Sequence, residues 1–310
     1  SEFGFQSFPE PSTVKTVTRS EDRNVTSYVM EHHQRSRIGN TTIMQYMLDW
    51  FLLPKNFRMT LWLSQILQGM AMKYAVEHWR RSMPRGMGTL YWQLNDCWPV
   101  ASWASIDSLG KWKALHYMAR KFYAPVLVSG LEDSKKGTVE IHGTSDHSDR
   151  INGRVSWHVT TASGESVIKG EKKVVLPANG SRRLKTLNLK SGLAEYSARN
   201  LIVWIRLETR EGVSRNMVLF SRPKHLMLEK PLIRSSVTGG EKGAYEIELS
   251  AEKPALWVWL DLKNTDAAYS DNFFHLEPGQ KKTVRIVPTR SIKQKKVEKK
   301  LRIKSLVDTC

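Results

Sequence analysis

Several things are scarce in this 310-residue sequence, and each scarcity excludes something. Cysteine occurs twice, at Cys97 and Cys310, which rules out a disulfide framework, and neither residue sits at metal-ligand spacing. No apolar run approaches the roughly 20 residues that a membrane span needs, so no membrane partner is expected. Acidic residues are short in number, 30 against 48 Lys and Arg, which leaves a formal charge of +18. That charge invites a nucleic-acid reading. Such binding needs a recognisable module as well as a basic surface, and none is present, so no nucleic-acid partner is expected. Eight of the cations fall between positions 290 and 304 with Glu298 the single acid, a run that reads as a solvated strand face or tail. There is no nucleophile-elbow motif, and the scattered Ser, His and Asp residues suggest no triad. His32 and His33 form an adjacent pair, but neighbours in sequence rarely ligate one ion together, and no carboxylate or third His stands at suitable spacing. No metal is therefore expected, and the two read as loop residues near a pocket mouth. An initiator Met and a leader peptide are also missing. The chain opens inside a motif, Ser1-Glu2-Phe3-Gly4, and reads as a fragment whose localisation stays open.

What is present falls into parts. Eleven Trp is high for the length, which suits ordinary cores and also the packing of sugar C–H faces on aromatic rings. Three Asn-X-Ser/Thr sequons, at Asn24, Asn40 and Asn179, permit glycosylation. In the first 124 residues, Pro11-Ser12-Thr13 signals a helix entry, and a helix is predicted over 42–52, ended by Pro54. The longest helical pattern runs over 56–81, where Leu61, Leu63, Ile66, Leu67, Met70, Ala71, Tyr74, Ala75 and His78 recur at three- and four-residue spacing. A short apolar and aromatic run at 88–95 predicts a buried strand over 90–94, and a helix is expected over 112–123. Strand, long helix, strand, helix is the rhythm of an α/β unit. After Pro125 the period changes to two, with strands expected around 139–142, 154–159, 172–176 and 201–207. A second set is expected around 245–249, 255–260, 283–287 and 301–303. This is β-sandwich patterning. The division that follows is 1–124, 125–225 and 226–310.

Among residues that carry chemistry, Glu2 stands out. A carboxylate at the C-terminal end of a strand can face an open pocket and act as a nucleophile, and the following Gly4 permits a tight backbone turn. Asn95 and Asp96, after the strand at 90–94, either bond a ligand's hydroxyls or cap the next turn. His116 and Tyr117 lie on a helical pattern and read as packing.

The stretches SEFGFQSFP, from Ser1, and GTLYWQLNDCWPVASWASIDSLGKWKALHYMARKFYAP, from Gly88, closely resemble β-mannosidases of glycoside hydrolase family 2. Ser270-Asp271-Asn272-Phe273-Phe274 and the ending from Ile303 to Asp308 resemble that family's closing domain. The resemblance implies the C-terminal part of a (β/α)8 TIM barrel, its seventh strand ending at Glu2 and its eighth near 90–94, followed by two immunoglobulin-like β-sandwich domains. It implies a retaining glycosidase acting on terminal β-D-mannose, with β-mannoside oligosaccharides or glycoprotein-derived glycans as partners and no cofactor. Glu2 takes the role of nucleophile and Trp92 lines the subsite of the terminal sugar. One departure stands out. The family's general acid/base is a Glu preceded by Asn, and this sequence contains no Asn-Glu dipeptide, which assigns that group to sequence upstream of this fragment. A related exo-β-glucosaminidase and a non-catalytic carbohydrate-binding β-sandwich protein are the alternative readings. The second has no need of both motifs.

Overall fold

A computed structural model describes residues 2–310; Ser1 of the opening motif lies outside the described residues. The chain groups into two units. One comprises residues 1–161 and 166–226, the other 162–165 and 227–310.

The first unit begins with β1 (Glu2–Phe3) and then α1 (Pro11–Val17), α2 (Tyr28–His32), α3 (Gly39–Trp50) and α4 (Phe57–Arg81). These lead to β2 (Leu90–Tyr91) and α5 (Ala114–Phe122). β1 and β2 pair in parallel, with Glu2 opposite Leu90 and Phe3 opposite Tyr91. Parallel neighbours require a crossover, and the four helices supply it. α4 starts where the Asn56 side chain accepts the Met59 N–H. Its long apolar face is buried, from Met59 through Leu63, Ile66, Leu67 and Met70 to Val76. α5 begins two residues later than the pattern predicts. An antiparallel bridge between Ile106 and Trp112, and the bond from Lys113 N to Ser105 O, keep that stretch extended. The first helical N–H, on Ala114, is satisfied by Gln65 Oε1 at 3.1 Å.

The same unit continues as a sandwich of β3 (Val126–Asp133), β4 (Thr138–Ser145), β5 (Ile151–Thr161), β6 (Ser166–Leu176), β7 (Gly180–Asn188), α6 (Lys190–Tyr196), β8 (Leu201–Thr209) and β9 (Gly212–Leu219). One sheet has the order β3-β4-β7, the other β6-β5-β8-β9. Their inner faces share a core that includes Val139, Ile141, Val155, Leu176, Val203 and Ile205. Two buried polar clamps tie α4 to this sandwich. Arg80 donates to Phe122 O, Ala124 O and Asp146 Oδ1. The buried Glu77 accepts from Asn216 Nδ2 at 2.7 Å and from Lys73 Nζ at 3.2 Å.

The second unit holds β10 (Arg234–Gly239), β11 (Tyr245–Ser250), β12 (Ala255–Leu262), β13 (Ala267–Tyr269), β14 (Phe274–Leu276), β15 (Lys281–Pro288), α7 (Gln294–Lys300) and β16 (Leu301–Lys304). The sheets run β10-β11-β15-β13 and β14-β12-β16 around a core with Ile247, Leu249, Val258, Leu260, Val284 and Ile286. The Asp271-Asn272-Phe273 segment has a backbone role. Asn272 accepts the Leu260 N–H and donates to Leu260 O, so its amide replaces a strand neighbour. The basic run is neither tail nor strand alone. Much of it winds into α7, because Lys is a good helix former and Val297 is fully buried as an anchor. The sequon at Asn40 is also spent: its buried Nδ2 donates to Val25 O and Met30 O.

Candidate active site

The site is built on the β1–β2 pair. Directly after β1, a Cβ on Gly4 would lie 2.5 Å from Trp92 O and 2.9 Å from Trp103 Cδ1. Glycine is needed there for close backbone approach, because Gly4 does not adopt the positive φ of a left-handed turn. The turn expected from the sequence is thus replaced by a steric reason for the same residue. The Trp92 N–H donates to Phe3 O at 2.8 Å, so the strand carrying Glu2 and the residue after β2 are stitched together.

Beyond Tyr91 the ladder stops. Gln93 N–H goes instead to Trp103 O, and Ser105 N–H to Gln93 O and Leu94 O, closing a loop over 92–105. The Trp92–Gln93 peptide is cis. β2 is therefore two residues long, shorter than the five predicted, and it is not buried. Leu90 is 66%, Trp92 51% and Leu94 56% exposed. Among the described residues β2 pairs only with β1, so nothing covers its outer side. Glu2 is exposed as well.

Beneath this open surface lies a dense polar layer. Gln68, fully buried on α4, donates from Nε2 to Phe5 O at 2.7 Å and to Trp103 O at 3.0 Å, and accepts from Ser7 Oγ at 2.7 Å. One amide thus holds both the continuation of β1 and the end of the loop. Ser64 Oγ accepts the Phe8 N–H one turn away. Asp96 is turned inward, accepting from Ser102 Oγ at 2.8 Å. Burial holds its carboxyl above the usual range, against the lowering effects of the Ser102 bond and of Lys113. Lys113 is fully buried, and desolvation pulls its ammonium down to about 8, opposed by Asp96, Asp107 and Glu10. On the neighbouring side Tyr91 Oη and Ser105 Oγ are 2.8 Å apart, and Ser105 Oγ lies 3.0 Å from His116 Nδ1. Burial, and then the charge of Arg120, lower the His116 pKa.

The residues read from the sequence sort accordingly. Glu2 opens β1 and Trp92 directly follows the parallel β2, and both are open to solvent. Asn95 is exposed, with its amide donating to Asp96 O at 3.4 Å, whereas Asp96 belongs to the buried layer. Of the two, His32 is not a loop residue but ends α2, while His33 lies in the turn that caps it. His33 Nδ1 meets Pro99 O, and both rings lie against Trp98, at 6.1 and 5.1 Å between centroids. No group of three or more metal-ligating side chains occurs among the described residues. The sequence reading missed Gln65, Gln68 and Lys113. The signal for the two glutamines was available, since polar residues at 64, 65 and 68 interrupt an otherwise apolar helical face.

Comparison with known proteins bears on these features. Residues 137–225 match a family described as "Mannosidase Ig/CBM-like domain", and residues 228–309 one described as "Ig-fold domain". A β-mannosidase of Capra hircus is 31% identical over 337 residues, covering 100% of this chain and 37% of that protein. The crystal structure of a β-D-mannosidase from Dictyoglomus thermophilum superposes with a TM-score of 0.88 at 30% identity, over 98% of this chain and 37% of that one. An exo-chitosanase from Amycolatopsis orientalis shares the fold, with a TM-score of 0.71 at 16% identity over 97% of this chain and 41% of that one. The chain spans 37% of the length of the curated mammalian relatives it matches.

Proposed function

The chain belongs to the β-mannosidase family of glycoside hydrolases, and on that premise we propose that the complete protein is a retaining exo-glycosidase that removes terminal non-reducing β-D-mannose from β-mannosides. Glu2 is the nucleophile. Its carboxylate attacks the anomeric carbon and forms a covalent glycosyl ester while a second carboxyl protonates the departing oxygen; water then releases mannose with the second group as base. The chain has no Asn-Glu dipeptide and spans 37% of its relatives, so we assign the acid/base to the part of their length it does not span. Trp92 is the platform for the terminal sugar, its exposed ring offering a flat apolar face to pyranose C–H groups. The two strands form part of a (β/α)8 barrel over 1–124, whose remaining strands cover Leu90, Trp92 and Leu94, and the sandwiches at 125–225 and 226–310 complete the C-terminal portion. The substrates are β-mannoside oligosaccharides or glycoprotein-derived glycans.

The observation that carries the reading is the pairing of β1 with β2. It brings the strand that opens with Glu2 beside the strand that Trp92 directly follows, which supports a reading of the two as neighbours on one edge of an α/β barrel. A fluorosugar that traps the glycosyl-enzyme in the complete protein should label one peptide, and that peptide should contain Glu2. A label on any other carboxylate removes Glu2 as nucleophile. Turnover of a p-nitrophenyl β-D-glucosaminide in place of the mannoside would reassign the sugar.

A further inference from the structure

The first sandwich carries a cleft that the reaction above does not use. It has a volume of about 880 Å3 and is lined by Arg154, Lys172, Lys173, Arg182 and Arg210, with Glu208 its single acidic residue. The strands impose this crowding. Arg154 stands directly opposite Lys173 in the β5–β6 ladder, a like-charge cross-strand pair that costs stability. Lys172 and Arg182 lie on β6 and β7, one in each sheet. Lys172 donates to Leu184 O at 3.1 Å and Arg182 to Val175 O at 3.3 Å, so each is bonded to a neutral carbonyl only. Among the described residues none of Lys172, Lys173 and Arg182 has a carboxylate partner. Glu208 is engaged by Arg206, and Arg154 meets Glu171 at 3.3 Å with both side chains more than half exposed. An exposed pair of that kind is weak and exchanges readily for another anion.

We propose that this cleft binds an anionic saccharide, one whose sugar residues carry phosphate or sulfate esters. Arg210 is held by Glu211 at 2.8 Å, and the guanidinium groups of Arg154 and Arg182 with the ammonium groups of Lys172 and Lys173, around one opening, match a tetrahedral oxyanion. The rest of the lining suits a sugar. Asn152 and Thr209 offer an amide and a hydroxyl to ring hydroxyls, and Val174 and Leu184 offer aliphatic surface to C–H groups. No aromatic ring lines the cleft, which disfavours a nucleic acid, because single strands are held by base stacking. It equally disfavours a neutral sugar held on a ring. The saccharide part of the proposal rests on the glycosidase reading; the anion part rests on the cleft alone.

Calorimetric titration of the full chain with mannobiose 6-phosphate, unsubstituted mannobiose, inorganic phosphate and a short oligothymidylate tests it. The phosphorylated disaccharide should bind tightest, and its affinity should fall as salt rises. Lys173→Ala combined with Arg182→Ala should weaken binding by at least about tenfold. Both side chains are exposed and Lys173 opposes Arg154, so the melting temperature should not fall. Unchanged affinity in the double variant overturns the proposal. So does tighter binding of the oligothymidylate, equal binding of neutral and phosphorylated mannobiose, or equal binding of inorganic phosphate, which would leave a bare anion site. Absence of any binding to the unsubstituted chain, with mannoside turnover intact in the complete enzyme, removes the cleft proposal alone. Binding without turnover removes the hydrolase reading alone.

Discussion

The first sandwich and the β1–β2 region belong to one unit, yet they are held together by different physics. The sandwich closes on itself: two sheets share a core of Val, Ile and Leu, and its strands alternate between that core and solvent. The parallel pair has no such partner layer among the described residues. Leu90, Trp92 and Leu94 lie open on one side, and the other side is fixed by directional polar contacts from Gln68, Asp96 and Lys113. A hydrophobic core tolerates small shifts of its members. A network in which one amide serves three backbone and side-chain partners sets positions, at the cost of failing sharply when a member is lost. The difference is what a scaffold and a reactive edge require: bulk burial for the one, fixed geometry with open side chains for the other.

The largest expected effect belongs to Glu2. In the complete enzyme Glu2→Gln should lower kcat on p-nitrophenyl β-D-mannoside by several orders of magnitude, with the melting temperature unchanged, because the side chain is exposed and the amide cannot form the ester. Loss of both together would place Glu2 among the structural residues instead.

Next come paired substitutions that set one region against the other. Ile141→Ala, in the sandwich core, should cost about 2–5 kcal/mol of stability and leave KM and kcat of the folded enzyme alone. Gln68→Ala strands the Phe5 and Trp103 carbonyls and the Ser7 hydroxyl, and should cost about 1–3 kcal/mol while also lowering kcat. If both variants reduce activity only in proportion to unfolding, the contrast between scaffold and reactive edge fails.

Lys113 gives the comparison a pH axis. Below about pH 8 it is protonated folded and unfolded alike, and burial of the charge is an unrelieved cost. Between about 8 and its ordinary value of 10.5 the unfolded chain keeps the proton that the folded one has shed, so stability rises with pH across that window. The rise should reach about 3 kcal/mol and vanish in Lys113→Met, as read from denaturant midpoints at successive pH values. Superimposable profiles for the two proteins would show that the ammonium is solvated. The smallest stability effect is expected at Trp92. With 51% of the side chain exposed, Trp92→Ala should cost less than about 1 kcal/mol, well below the roughly 3–5 typical of a buried Trp, while activity on mannosides falls.

Some of this was legible in the residues. The 3.6-residue period over 56–81 marked α4 to within a residue, and alternation marked β11, because local periodicity reports which way side chains point whatever the neighbours are; β8 was marked by a run of apolar residues buried on both faces. The apolar run at 88–95 read as buried and is open, since a strand's burial depends on what pairs beside it. The basic run read as strand or tail; Leu301–Lys304 is a strand, but Gln294–Lys300 winds into α7, where Val297 is the one buried residue of an otherwise polar helix.

The sequence by itself determined the identity of the candidate nucleophile and platform, the alternation that builds both sandwiches, and the charge that the cleft gathers. The alternation and the charge follow from residue type and spacing, which are properties of the chain; the nucleophile and platform follow from the resemblance of the motifs that carry them to a known family. Tertiary structure alone decided the rest. It showed that Gly4 is required by the backbone oxygen of Trp92 and not by a turn, and that Gln68 on a core-facing helix holds the strand bearing Glu2. It also brought Lys172 and Arg182, on strands of opposite sheets, to line one opening. Steric contact, hydrogen bonding and charge crowding act through space between residues far apart in the chain, and no local pattern encodes which of them will meet.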